Sequence, residues 1–247
     1  MIAEEPKRPR AERFVAIVDA SLEAWAAHWP IYLGLAFASI ALQFCVAAAA
    51  HYDGAALFVA GCVFDGFVTA FVTIDVAERF REEPRSMREV FRASLVRWPL
   101  VTAVVAATSV VASAFSDWVF VNADQTYGVG ILPGLVAFGI LGIATVVASI
   151  DDTRPWYLLP GYAFVRSIVL SGIWPNLGRL LLAGAMVAVP MMLQLLLQQW
   201  LPARGLHAGE NLFWSFVPVD ALTLAPFQAF FTYLYFDFVA REAAAKR

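Results

Sequence analysis

The sequence predicts an all-α protein that crosses a membrane six times. Of its 247 residues, 61 % are hydrophobic and 15 % are charged, and the mean hydropathy is +0.69. A soluble domain is only about half apolar and about a quarter charged. Apolar runs long enough for the ~20 residues that cross a bilayer core cover residues 30–50, 55–74, 99–115, 131–150, 179–200 and 221–239.

Residues 1–11, which precede the first run, are charged, and we expect them to form a cytoplasmic tail. The stretch that follows is amphipathic and does not have the short apolar core and small-residue site of a cleavable signal peptide. We therefore expect the first span to be retained. The whole chain, 1–247, is predicted to be a single integral membrane domain.

The basic residues lie almost entirely on one side of the predicted spans. Of 17 lysines and arginines, only Arg204 falls in the alternate connections 51–54, 116–130 and 201–220. Because cytoplasmic loops of membrane proteins carry an excess of basic residues, this distribution predicts that both termini are cytoplasmic. The predicted location is a bacterial inner membrane, crossed several times.

The chain also predicts an internal repeat, with units at about 12–79, 80–154 and 155–247. In each unit a Trp-Pro pair stands at the start of an odd-numbered span. Tryptophan prefers the level of the lipid headgroups, and proline is tolerated in the first turn of a helix. Trp29, Trp98 and Trp174 are therefore predicted interface anchors.

A short amphipathic segment precedes each Trp-Pro pair, and its apolar spacing predicts a helix in the plane of the interface. The segments share a serine, at Ser21, Ser94 and Ser167, with 73 residues between successive copies. We expect the units 14–79, 86–154 and 162–241 to superpose, each beginning with a helix roughly parallel to the membrane.

Each even-numbered span ends with an aspartate that is followed by an arginine. The pairs are Asp75 with Arg79, Asp151 with Arg154, and Asp237 with Arg241. Two of these pairs have the i,i+4 spacing that places both side chains on one face of a helix. We expect those two pairs to form ion pairs.

The motifs "GYAFVRSIVLSGIWPNLGRLLLAGAMV" and "FFTYLYFDFVARE" resemble a known family. They are similar to the six-span membrane region found beside bacterial glycerophosphodiester phosphodiesterases and to stand-alone relatives of the YciC type. In that family the last span closes on Tyr-Tyr-Asp-like residues, which here are Tyr235, Phe236 and Asp237. The resemblance implies the fold and a membrane location, and it implies little about activity.

Asp65 is a carboxylate in the middle of an apolar run, about 15 Å from either end of its span at ~1.5 Å per residue. An exposed charge at that depth is costly, so we expect the side chain to face the bundle interior, protonated and donating a hydrogen bond. Gln43 and Gln228 are the predicted partners, since both lie at a suitable depth. Two hypotheses follow: a structural polar clasp between helices, or a ligand or transport site.

A second predicted site consists of arginines that contact lipid headgroups, because positive charge beside a membrane attracts anionic lipids. They are Arg79, Arg81, Arg85, Arg88, Arg92 and Arg97.

The residue pattern gives no support for a catalytic or metal site. Asp151 and Asp152 lack the further carboxylates of a magnesium motif, and the histidines form no cluster. Cys45 and Cys62 are expected to be free thiols. We expect no enzyme activity, no cofactor and no nucleic-acid binding.

The predicted function is that of a non-catalytic accessory or scaffolding protein of the inner membrane, with membrane lipids and other membrane proteins as partners. The alternative is a transporter or channel for a small or lipid-like solute that uses Asp65. A cavity reaching Asp65 would favour the alternative.

Overall fold

The computed structural model describes residues 13–51, 54–121, 131–151, 158–200 and 208–246. Within these ranges the chain forms eight α-helices and no strands, so the predicted all-α class is confirmed. The helices are α1 Phe14–Ala27, α2 Trp29–Ala49, α3 Gly54–Phe80, α4 Met87–Val121, α5 Ile131–Ile150, α6 Leu159–Ser171, α7 Ile173–Trp200 and α8 Ala208–Ala245.

Over the described ranges, four helices contain a stretch that is long and apolar enough to cross a membrane. These stretches are Trp29–Ala49, Phe58–Phe80, Met87–Val111 and Ile173–Pro190. Large apolar side chains are exposed on the same bundle, including Val96 at 78 % and Val189 at 67 %. Apolar surface of this kind needs an apolar environment to cover it. The remaining predicted spans, 131–150 and 221–239, lie within α5 and α8.

The first and third units begin with a separate short helix, as predicted. Helix α1 ends at His28 and α6 ends at Gly172, which has the left-handed φ of 45° that favours glycine. In both helices the shared serine is buried and donates to a carbonyl of its own helix: Ser21 to Val18 and Ser167 to Phe164.

The expectation of a separate helix over residues 86–97 is wrong. Helix α4 runs without a break from Met87 to Val121, with Pro99 inside it. The spacing explains the difference, because Ser94 and Trp98 are four residues apart, about one helical turn. The corresponding distances in the first and third units are 8 and 7 residues, which leave room for a turn. The second unit therefore does not repeat the helix-break-span pattern.

Helices α3, α5 and α8 lie at the centre of the bundle, and each packs against at least four others. Aromatic side chains of α8 fill much of the core, with Phe230 and Phe238 almost fully buried. Small residues let the backbones approach closely, as expected for membrane helices. A Cβ atom on Gly66 would lie 2.9 Å from the Cα atom of Thr102, so α3 and α4 touch there.

Candidate functional site

Asp65 lies near the middle of α3 and is hydrogen-bonded to two side chains of α2. Its Oδ1 accepts from Gln43 Nε2 at 2.7 Å and from Ser39 Oγ at 2.9 Å. Gln43 Nε2 also lies 3.1 Å from Ser39 Oγ and donates to it. Ser39 and Gln43 are one turn apart on α2, so both reach the same carboxylate oxygen. These three residues make a polar contact between mainly apolar stretches of α2 and α3. Asp65 accepts hydrogen bonds here and does not donate.

Asp65 also lines a cavity of about 280 Å³ in the centre of the bundle. Its wall comes from α3, α4, α5, α7 and α8. The polar lining residues are Asp65, Thr69, Thr108, Ser109, Thr145, Thr223 and Gln228, and the apolar ones include Phe138, Val187, Pro190, Phe227 and Phe231. We call this space the central cavity. Its size lies just below the ~300–1,000 Å³ of pockets that hold drug-sized ligands, so it fits a small solute.

The charge of the central cavity is one-sided. Among the lining residues in the part of the chain that the structure describes, Asp65 is the one ionisable residue, and none is a lysine or an arginine. Oδ1 holds both hydrogen bonds from α2, while no donor among the described residues bonds to Oδ2. The Asp65 side chain is half-buried, so it is not sealed within the protein. The cavity therefore offers a carboxylate oxygen and several hydroxyl groups to a solute.

Gln228 is not the partner of Asp65 that the sequence predicted. Its Nε2 donates to Thr73 Oγ1 at 2.6 Å, and it also bonds with Thr145. Thr73 is eight residues after Asp65 on α3, about 12 Å along the helix axis at ~1.5 Å per residue. The depth of Gln228 was counted from the end of an apolar run, but α8 begins at Ala208, well before that run. Asp65 and Gln228 instead line the same cavity at different heights.

The site predicted from the sequence did not include the hydroxyl groups that line the central cavity. Thr69 is four residues after Asp65, so a search for i,i+4 polar pairs inside apolar runs finds it. The same search finds Ser39, four residues before Gln43, which bonds Asp65 from outside the cavity lining. Of Thr108, Thr145 and Thr223, Thr145 has the same signal with Ser149, four residues later, and the other two do not. Each one also donates to a backbone carbonyl of its own helix, which lets a hydroxyl occupy an apolar helix.

Asp75, at the arginine-rich end of α3, is held in a second polar cluster. Its Oδ2 accepts from Arg79 Nε at 3.2 Å, and it also contacts Tyr32 Oη and His28 Nδ1. Asp75 and Tyr32 are buried, while His28 and Arg79 are about a quarter exposed. The predicted i,i+4 ion pair is confirmed, and the cluster also joins α3 to the first turn of α2.

Asp237 has an equivalent arrangement in the third unit. Its Oδ2 accepts from Arg241 Nε, four residues later, and from Arg179 NH1 on α7, both at 2.8 Å. The second predicted i,i+4 ion pair is thus also confirmed. Asp151 lies at the end of the described range, and Arg154 lies outside the described residues.

The predicted headgroup arginines differ in their surroundings. Arg79 binds Asp75, whereas Arg81 NH1 and Arg85 NH2 lie 3.8 and 3.3 Å from Glu78 Oε1. Arg88 and Arg92 are exposed on α4, and Arg97 is half-buried. Contact of these side chains with lipid remains a prediction.

The predicted interface anchors are also placed differently. Trp29 is 49 % and Trp174 is 85 % exposed. Trp98 is half-buried, and its indole N–H donates to the Val63 carbonyl on α3. Both cysteines are free, Cys45 exposed and Cys62 buried.

Among the residues that the structure describes, no three histidines, cysteines or carboxylates lie together as metal ligands. Comparison of the chain with protein-family models, with curated proteins and with solved structures gives no match.

Proposed function

We propose that this protein binds a small polar or cationic solute in the central cavity and acts as a transporter or channel for it. The observation that supports the proposal is a membrane-type helical bundle with a carboxylate, Asp65, on the wall of a polar cavity. An ionisable side chain at mid-membrane depth is costly, and in membrane proteins such residues commonly mark a solute pathway or a ligand site. A cation is the complementary solute, because no basic lining residue neutralises Asp65.

We propose the finer architecture from the sequence together with this geometry. The protein crosses a bacterial inner membrane six times with both termini in the cytoplasm, as the one-sided arginines favour. The resemblance to the membrane region beside glycerophosphodiester phosphodiesterases agrees with such a bundle. We do not propose a three-unit repeat, because α4 is continuous with its span; the first and third units share a separate helix and an aspartate cluster.

Thiol reactivity in a cysteine-free background tests whether the cavity is hydrated. Thr223 lines the cavity, and the adjacent Leu222 is 59 % exposed on the outside of the same helix. We expect Thr223→Cys to react with a small cationic methanethiosulfonate much faster than Leu222→Cys, since thiolates form in water and not in lipid. The two positions lie at nearly the same depth, so depth does not explain a difference.

The Thr223→Cys variant also tests the role of the Asp65 carboxylate. With Asp65 present, Thr223→Cys should prefer the cationic reagent over an anionic reagent of similar size. The added change Asp65→Asn should remove most of that preference. Equal, slow labelling of Thr223→Cys and Leu222→Cys would contradict the proposal. Uptake of small organic cations by proteoliposomes, lost in Asp65→Asn, then tests transport.

The clasp from α2 favours a second candidate, the accessory or scaffolding function. Ser39 and Gln43 satisfy Oδ1 of Asp65 without any solute, which suits a structural carboxylate. This function predicts no cation uptake and a partner protein that co-purifies in mild detergent. It also predicts that Asp65→Asn, which can still accept both hydrogen bonds, keeps normal activity.

A further inference from the structure

An apolar groove of about 230 Å³ runs along the outside of the bundle between α2, α3 and α4. It is separate from the central cavity, and its lining residues include Leu35, Leu42, Phe64, Phe91, Leu95 and Trp98.

The two polar groups in the wall of the groove are already hydrogen-bonded. The hydroxyl of Ser39 donates to Asp65, and the indole N–H of Trp98 donates to the Val63 carbonyl. The groove therefore offers no free polar side chain to a ligand among its lining residues. Its occupant has to be apolar over this length.

Two exposed arginines, Arg88 and Arg92, lie on α4 near Phe91, the groove residue closest to the start of that helix. Arg88, Phe91, Leu95 and Trp98 follow one another on α4 at spacings of 3, 4 and 3 residues, so they share one face of the helix. Arg92 lies beside this face, one turn after Arg88. Phe91 and Leu95 are each 43 % exposed, so the groove is open to the surroundings.

The charge of these arginines favours an anion. Neither Arg88 nor Arg92 lies within ion-pair distance of a carboxylate of the described residues. The nearest acidic residue on the helix, Glu89, is turned to the helix start, where its Oε2 accepts from the backbone N–H and the hydroxyl of Ser86. By contrast, Arg81 and Arg85 are paired with Glu78.

We propose that this groove holds one acyl chain of an anionic phospholipid, whose phosphate lies against Arg88 and Arg92. A chain and a phosphate in one molecule match an apolar groove with two arginines nearby. The ten steps from Arg88 to Trp98 extend about 15 Å along the helix, so one lipid molecule can reach both the arginines and the groove. The site is independent of solute binding at Asp65.

Lipid retention by the full-length protein tests the proposal. The protein is reconstituted in vesicles of phosphatidylglycerol and phosphatidylcholine, extracted in mild detergent, and examined by native mass spectrometry. We expect one phosphatidylglycerol to remain bound. Arg88→Gln with Arg92→Gln should weaken its binding about 30-fold, which corresponds to roughly 1 kcal/mol per arginine.

Further variants distinguish the contribution of the apolar groove from that of the arginine charges. Leu95→Trp fills the groove without changing the charge, and it should also displace the lipid. Arg88→Lys with Arg92→Lys keeps the charge and should retain it. Arg81→Gln with Arg85→Gln is the matched control, because it removes two arginines away from the groove, and it should also retain the lipid.

Each other outcome overturns the proposal. Retention that survives Leu95→Trp but not the glutamine changes at positions 88 and 92 means headgroup contact without a chain in the groove. Equal retention of phosphatidylcholine means ordinary surrounding lipid only. A second copy of the chain or a partner protein protecting Leu95 means a protein occupant. The unfolding temperature of each variant in detergent shows whether it is folded.

Discussion

Gln43 on α2 donates a 2.7 Å hydrogen bond to Oδ1 of Asp65 on α3. This contact joins α2 to α3 beside the central cavity. Hydrogen bonds between membrane helices contribute about 0.6–2 kcal/mol each. Ser39 adds a second donor to the same oxygen, so the Asp65 contact involves three side chains.

The first prediction is a double-mutant cycle on this contact. Asp65→Leu and Gln43→Leu should be coupled by about 0.6–2 kcal/mol in the free energy of unfolding, measured by denaturation with SDS in mixed micelles. Asp65→Leu and Gln228→Leu should be close to additive, because Gln228 bonds Thr73 and Thr145 instead. Strong coupling of Asp65 with Gln228 would contradict the geometry described above.

The sequence predicted the Asp65–Gln43 contact better than the role of Gln228, for a physical reason. Gln43 and Asp65 lie on consecutive spans joined by a short connection, so counting residues from that connection gives their relative depth. Gln228 lies on α8, whose position along the membrane is set by packing against several helices. Counting residues along the sequence does not give the depth of α8 in the membrane or its rotation about its own axis. For the same reason the sequence could not reveal a cavity shared by five helices.

The break between the short first helix of a unit and the span that follows it was also predictable only in part. His28 directly follows α1 and Gly172 directly follows α6, and glycine is common at the position after a helix. In the second unit, Ser94 and Trp98 are too close together for a helix to end between them. The similarity to the other two units nevertheless led to the prediction of a separate helix. The structure instead has one continuous helix, α4, with Pro99 inside it.

The second prediction concerns the close crossing of α5 and α7. A Cβ atom on Gly184 would lie 2.0 Å from the Leu135 carbonyl oxygen, whereas one on Gly178 of the same helix meets nothing within 4 Å. Gly184→Ala should therefore lower the free energy of unfolding by about 1–3 kcal/mol. Gly178→Ala should be neutral or slightly stabilising, since alanine has the higher helix propensity. Equal effects in SDS denaturation would show that the helices do not cross at Gly184.

The third prediction is a pH dependence at the C-terminal end of α8. Arg166 on α6 forms two hydrogen bonds with Glu242, of 3.1 and 2.7 Å, and Lys246 adds one of 2.9 Å. The hydrogen bonds from Arg166 and Lys246 lower the pKa of Glu242 to about 2. Because the folded pKa lies below the ordinary value of about 4.3, the pair stabilises the protein above that value. This stabilisation is lost as the pH falls from about 4.3 to about 2.

Glu242→Gln should abolish that part of the pH dependence. In the wild type the unfolding temperature should fall more between pH 5 and pH 2.5 than in the variant, by an amount that corresponds to at most about 1 kcal/mol for a partly exposed pair. Glu23→Gln is the control, because Glu23 is exposed on α1 and has no ion-pair partner among the described residues. Identical pH profiles of wild type and Glu242→Gln would rule out this contribution.

The fourth prediction addresses topology. Single cysteines at Asp53, Asp124 or Gly209, in a cysteine-free background, should react with an impermeant thiol reagent added to intact cells. Cysteines at Glu83 or Ala243 should react only after the cells are opened, because they lie on the arginine-rich side. Labelling of the Glu83 position in intact cells would contradict six spans with both termini inside.

The last prediction compares donors to the two buried aspartates. Asp237 receives Arg241 from its own helix and Arg179 from α7, and the side chain of Arg179 is 16 % exposed against 34 % for Arg241. Of these two bonds, the one from Arg179 joins two helices, and the greater burial of Arg179 reduces screening by solvent. Arg179→Met should therefore lower the free energy of unfolding by about 1–3 kcal/mol, and Arg241→Met by less than about 1 kcal/mol. Tyr32→Phe, which removes the donor from α2 to Asp75, should cost about as much as Arg179→Met, since Tyr32 also joins two helices and is buried. If Arg241→Met costs as much as Arg179→Met in SDS denaturation, the bond between helices contributes no more than the bond within α8, and the prediction is wrong.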